Sequence, residues 1–149
     1  MYKRILVPLD GSDLSERALQ PAFDLATQFQ AQVILLRVIA MDDTTAAVAG
    51  SGPQFLNLRD MREERDRAES EDYLKGILAQ CAANEVPVVT RVAFGAAPEM
   101  IVQTADQTQA ELIVMSTHGR SGLNRFLYGS VAEAVLRGTQ LPLLLIPVK

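Results

Sequence analysis

Cysteine and histidine occur once each in this chain. A single cysteine, Cys81, excludes an intramolecular disulfide and any cysteine-cluster metal site. It falls within a helical pattern and reads as a small buried apolar residue. A single histidine, His118, excludes a multi-histidine metal centre. No apolar stretch approaches the roughly 20 residues of a membrane span. The opening M-Y-K-R-I-L-V-P-L-D carries too short an apolar run for a secretory signal, so a cytoplasmic protein is expected. Positive charge is not in excess: the net charge is −4, no basic face is evident, and nucleic acid is not an expected partner. Two phosphate motifs are missing, G-x-x-x-x-G-K-[ST] and G-x-G-x-x-G, which excludes a P-loop and a standard dinucleotide fingerprint. Asp10, His118 and Ser130 can be drawn as a triad, but nothing resembles a nucleophile elbow, and the triad is discounted.

What the chain does have is alternation. Its 149 residues, 48% of them hydrophobic, suit one globular domain spanning 1–149 with a real core. Ile5-Leu6-Val7 reads as a short buried strand ended by the turn Pro8–Ser12. Ser12 or Asp13 caps a helix running to about Phe29, with an apolar stripe of Ala18, Pro21 or Ala22, Leu25, Ala26 and Phe29. Pro21 either kinks that helix or sits where a lost hydrogen bond is tolerated. Residues 32–38 form a second buried strand. Residues 41–53 are small and polar and read as a loop, either a lid or a disordered stretch. The pattern from Asn57 to Ala83 is a long helix with Met61, Leu74, Ile77, Leu78 and Cys81 apolar. Its charged first half forms a solvated face with i,i+4 pairs Glu63–Arg67 and Arg62–Asp66. Residues 87–93 make a third strand suited to a sheet edge. A helix with Pro98 near its start and Met100, Ile101 and Ala105 apolar follows. Residues 112–115 and 141–148 are the fourth and fifth strands. Strand–helix alternation of this kind predicts an α/β fold, a three-layer sandwich around a five-stranded parallel sheet.

The chain is organised around Ser116 to Leu136. An apolar strand, Leu112-Ile113-Val114-Met115, runs into a loop with Gly119 and Gly122, and Gly129-Ser130 opens a helix with Val131, Ala134 and Val135 on one face. Glycine permits close backbone approach. The first amides of a helix lack internal partners and favour anions. Arg120 and Arg125 add charge, and Ser121 and Ser130 add hydroxyls. Phosphate binding is the expectation, against a plain βα turn. If strands one and four are neighbours, Pro8–Ser12 faces the same crevice. There Asp10 has two readings of nearly equal weight: a ligand for ribose or a phosphate-bound metal ion, or a cap for the next helix.

These residues carry a resemblance. I-L-V-P-L-D-G-S at the start, M-S-T-H-G-R-S-G-L, L-Y-G-S-V-A-E-A-V-L and L-P-L-L-L-I-P-V resemble the universal stress protein (UspA-like) family over the whole length. Its ATP-binding branch carries G-x2-G-x9-G-[ST]. Here Gly119, nine residues, then Gly129-Ser130 match, while Ser116 holds the first glycine position. The resemblance implies a Rossmann-like, adenine nucleotide alpha hydrolase-like sheet of order 3-2-1-4-5, ATP with Mg or Mn, a homodimer and a stress-related regulatory role. By position, Pro8, Leu9 and Asp10 would line the adenosine side, and Val38 would contact adenine through its backbone. Met115 and Ser116 would flank ribose and phosphates. His118, Gly119, Arg120, Ser121, Gly129, Ser130 and Val131 would complete the site, with Asp10 at an ATP-bound divalent ion. The expected function is a nucleotide-dependent regulator rather than an efficient enzyme. The alternatives are a stress-induced interaction module that binds no nucleotide, and a slow ATPase or phosphotransferase. The dimer is expected at the apolar stretch Leu143 to Val148, a sheet edge in that order, whose exposed leucines a two-fold pairing would hide.

Overall fold

The computed structural model describes residues 1–41, 53–118 and 129–147, with side chains over 53–56 not described. Most of the 41–53 loop, the glycine loop with Gly122 and Arg125, and Val148 therefore lie outside the described residues. Element order is β1 (Arg4–Leu9), α1 (Asp13–Glu16), α2 (Leu19–Phe29), β2 (Gln32–Ile39), α3 (Pro53–Cys81), a 3-10 turn (Ala82–Asn84), β3 (Val88–Phe94), α4 (Ala97–Gln107), β4 (Leu112–Ser116), α5 (Ser130–Gly138) and β5 (Leu143–Ile146). The strands form one parallel sheet in the order β3-β2-β1-β4-β5, as the resemblance implied.

Alternation along buried strands divides the core in two. Ile5, Val7, Val33, Leu35, Leu112 and Val114 pack against Ala22 and Phe23 of α2 and Leu74 and Ile77 of α3. Leu6, Ile34, Leu36, Ile113 and Met115 pack against Ile101 and Ala105 of α4 and Ala132 and Val135 of α5. Each large apolar side chain taken from water contributes about 1.5–3 kcal/mol. These two layers therefore hold the sheet ends in place.

Several local readings are corrected. The first helix is two helices. The break falls at Arg17 and Ala18, whose amides bond three residues back, to Leu14 and Ser15 carbonyls at 3.3 and 3.2 Å. Pro21 occupies the third position of α2, within a first turn whose amides lack internal partners, so its missing N–H costs nothing there. In α3, Met61 is 64% exposed rather than apolar-packed, while Leu74 and Ile77 are buried. Glu63 pairs with Arg59 at 3.3 Å and not with Arg67. Arg67 instead lies over the Phe94 ring, 4.9 Å from its centroid. Among the described residues no ion pair joins Arg62 to Asp66; the second pair on α3 is Arg65–Glu69. Cys81 is only half-buried, and that burial pushes its thiol pKa up. In α5 the buried residues are Ala132 and Val135, with Ala134 only half-buried.

Candidate functional site at the sheet switch point

From β1 the chain first builds outward through β2 to β3, then crosses back to place β4 on the other side of β1. The strand order reverses there, and ligands in such sheets sit beyond the carboxyl ends at that point. The ladder between β1 and β4 joins only Ile5 to Leu112 and Leu6 to Ile113. Beyond those pairs the carboxyl halves of the two strands part. A cleft of about 250 Å³ opens between them, somewhat smaller than a typical small-molecule site.

Pro8, Leu9, Asp10, Val38, Met115, Ser116, Gly129, Ser130 and Val131, read from sequence as site residues, line this one cleft. His118 is not among its walls. Gly119, Arg120 and Ser121 lie outside the described residues. Ser15, Arg37, Ala97, Ile101, Thr117 and Ala132 also line it and escaped the sequence reading. Arg37 carried a usable signal, a lone cation near the end of an apolar strand. Ala97, Ile101 and Ala132 carried none, because they read as helix core.

The β1 turn is held by its own polar groups. Ser12 caps α1, its Oγ accepting from the Ser15 amide at 3.1 Å. Asp10 Oδ1 accepts from the Ser12 amide at 2.9 Å and from the Ser12 hydroxyl. Asp10 is thus not the cap; it braces the residue that is. Ser15, buried, donates from its hydroxyl to the Ser12 carbonyl at 2.9 Å and accepts from the Asp10 amide at 3.3 Å. Behind this turn the Tyr73 hydroxyl donates to Glu16 at 2.7 Å. Burial, then that carboxylate, hold the phenol pKa well above its ordinary range.

The β4 side is built by close backbone approach. Ser116 is buried and donates from its hydroxyl to the His118 carbonyl at 2.8 Å. The side chain at the departing glycine position therefore ties down the turn. Thr117 Oγ1 and His118 Nδ1 are 3.1 Å apart. Gly129 has φ +77°, and a Cβ there would stand 1.8 Å from the Thr117 carbonyl oxygen. Only glycine fits. Among the described residues no side chain caps α5, and the amides of its first turn, from Ser130 on, have no partner within the helix. Leu9, Val38, Ile101 and Met115 give the other part of the cleft an apolar wall. A flat apolar group and an anion both find complementary surface here. Among the described residues no three His, Cys, Asp or Glu side chains converge as a metal site, and no helix is long and apolar enough to cross a membrane.

A model of the universal stress protein family matches residues 1–147. Universal stress protein MJ0531 of Methanocaldococcus jannaschii is 32% identical over 146 residues, 98% of this chain and 82% of that protein. The solved structure of MJ0577, from the same organism, superposes with a TM-score of 0.83 at 27% identity, over 100% of this chain and 98% of that one. A universal stress protein solved in complex with cAMP superposes with a TM-score of 0.63 at 26% identity, over 99% and 98% of the two chains.

Proposed function

Because this chain belongs to the universal stress protein family, we propose that it binds ATP in the switch-point cleft and acts as a nucleotide-dependent regulator rather than as an efficient enzyme. The observation that carries the reading is the α5 N-terminus, uncapped among the described residues and opening on a cleft that also has an apolar wall. Amides with no partner within the helix, and the positive dipole end, suit phosphate. The Leu9, Val38 and Met115 surfaces suit a purine and its ribose. The cAMP complex of a relative supports the choice of an adenine nucleotide.

In this reading Ser130 and the amides behind it hold phosphate oxygens, with Gly119, Arg120 and Ser121 contributing from the loop and His118 beside it. Asp10, which lines the cleft, takes the ribose hydroxyl or a Mg or Mn ion carried by the phosphates. When bound, that ion would supply charge neutralisation for the triphosphate. Mass spectrometry of small molecules released from freshly purified protein tests the reading. ATP in near-stoichiometric amount supports it. Protein that arrives empty, and stays empty after incubation with ATP, contradicts it and points to an interaction module without nucleotide.

A further inference from the structure

Behind the cleft, α3 reaches the β1 turn through the Tyr73 hydroxyl. Tyr73 is half-buried, and its ring packs against the core layer that holds Leu74 and Ile77. Leu74, next to it, is 1% exposed. A close-packed stretch of helix therefore carries the phenol. Its hydroxyl donates to Glu16 Oε1 at 2.7 Å, joining residues 57 apart in sequence. Burial, the Glu16 carboxylate and the charge of Asp10 hold the phenol protonated, so it stays a donor. Arg37, near the end of β2, donates to the Val38 carbonyl at 2.7 Å, and its charge acts on the same hydroxyl.

The element at the other end of this bond is less firmly seated. α1 buries Ser15, a polar residue, and leaves Asp13 exposed and Leu14 and Glu16 half-buried. With no apolar side chain buried among its four described residues, α1 gains little from packing. Polar contacts set its place. Ser15 accepts from the Asp10 amide at 3.3 Å and donates to the Ser12 carbonyl at 2.9 Å. Ser15 and Asp10 line the cleft, and Glu16, the next residue after Ser15, holds α3. A displacement at Glu16 thus reaches Asp10 through one residue of a short helix. The bond from Tyr73 to the Glu16 carboxylate is charge-assisted and stronger than a neutral one.

We infer that Tyr73 is a positioning residue for the cleft: through Glu16 it fixes α1, and with α1 the turn that presents Asp10 to a bound nucleotide. The inference rests on the nucleotide reading given under the proposed function. Its test is calorimetry of magnesium–ATP on the full chain as wild type, Tyr73→Phe, Asp10→Ala and the double variant. Tyr73→Phe removes the hydroxyl and keeps the packed ring. It should weaken binding about fivefold in the wild-type background and by less than about twofold in the Asp10→Ala background, where the residue it positions is gone. A bond that served the fold alone would give the same factor in both. Glu16→Gln keeps an oxygen that accepts from the phenol and should bind within about twofold of wild type, whereas Glu16→Ala should bind like Tyr73→Phe. Where Tyr73→Phe does not fold, Glu16→Ala takes its place in the cycle. Tyr73→Phe that binds as wild type does, or that loses the same factor in both backgrounds, overturns the inference and leaves nucleotide binding standing. Folded wild type that binds no ATP overturns both.

Discussion

At the scale of single residues, Gly129 and Ser130 separate the demands of the fold from those of a ligand. A side chain at Gly129 collides with the Thr117 backbone whether or not anything is bound. Gly129→Val should therefore destabilise the protein by at least about 1–3 kcal/mol, read as a lower melting temperature without ligand. Ser130 is exposed at the first position of α5. Ser130→Ala should leave the melting temperature nearly unchanged and weaken ATP binding about tenfold, the loss of one hydrogen bond to a charged group. Equal ATP affinity in Ser130→Ala and wild type, by calorimetry, would remove Ser130 from the site. The β1 turn divides in the same way. Ser12→Ala removes the α1 cap and should cost about 0.5–2 kcal/mol of stability. Asp10→Ala, which leaves that cap in place, should weaken magnesium–ATP binding more than it lowers the melting temperature. The reverse pattern would make Asp10 a brace for the turn and nothing more. Sequence made Asp10 and Gly129 legible because turn chemistry is local. It left Arg37 and Ser15 unread, because their roles depend on a strand end and a buried turn that only the folded chain brings together.

At the scale of elements, α3 behaves as two helices joined end to end. At 1.5 Å per residue its 29 residues span about 44 Å, against about 23 Å for the seven-residue β3. The helix outruns the strand, and its first half has little to pack against. Met61 is exposed, off the half-buried face of Arg59, Glu63 and Asp66, while Leu74 and Ile77 are buried against the sheet. Leu74→Ala should cost about 2–5 kcal/mol, and Met61→Ala should stay within about 0.5 kcal/mol. Denaturant unfolding of the two variants checks the contrast; similar losses would mean that both halves pack alike. Periodicity identified this helix, but not where the sheet beneath it stops. It likewise placed apolar residues along one continuous first helix, whereas the chain breaks at Arg17 and Ala18 so that Pro21 falls in a first turn.

At the scale of the whole molecule, the order β3-β2-β1-β4-β5 leaves β5 paired on one side only. Leu144 and Ile146 pack towards one core layer, Leu143 and Leu145 towards the other, and all four are half-buried. We propose that a second copy of this chain covers this edge, an exposed apolar strand being prone to pairing. Wild type should sediment as a dimer at micromolar concentration, and Leu144→Glu should be monomeric or insoluble. Wild type that sediments as a monomer with and without ATP would contradict this. The number of strands and their parallel sense were legible from alternation. Their order was not, because no local pattern says on which side of β1 the chain returns; the family resemblance supplied it.

The most direct measurement of the central claim is titration calorimetry of magnesium–ATP into the full chain freed of bound nucleotide. The cleft and the open end of α5 predict saturable binding of a single ATP per chain, weakened in Ser130→Ala. Folded wild-type protein that gives no binding heat with ATP at millimolar concentration would contradict it.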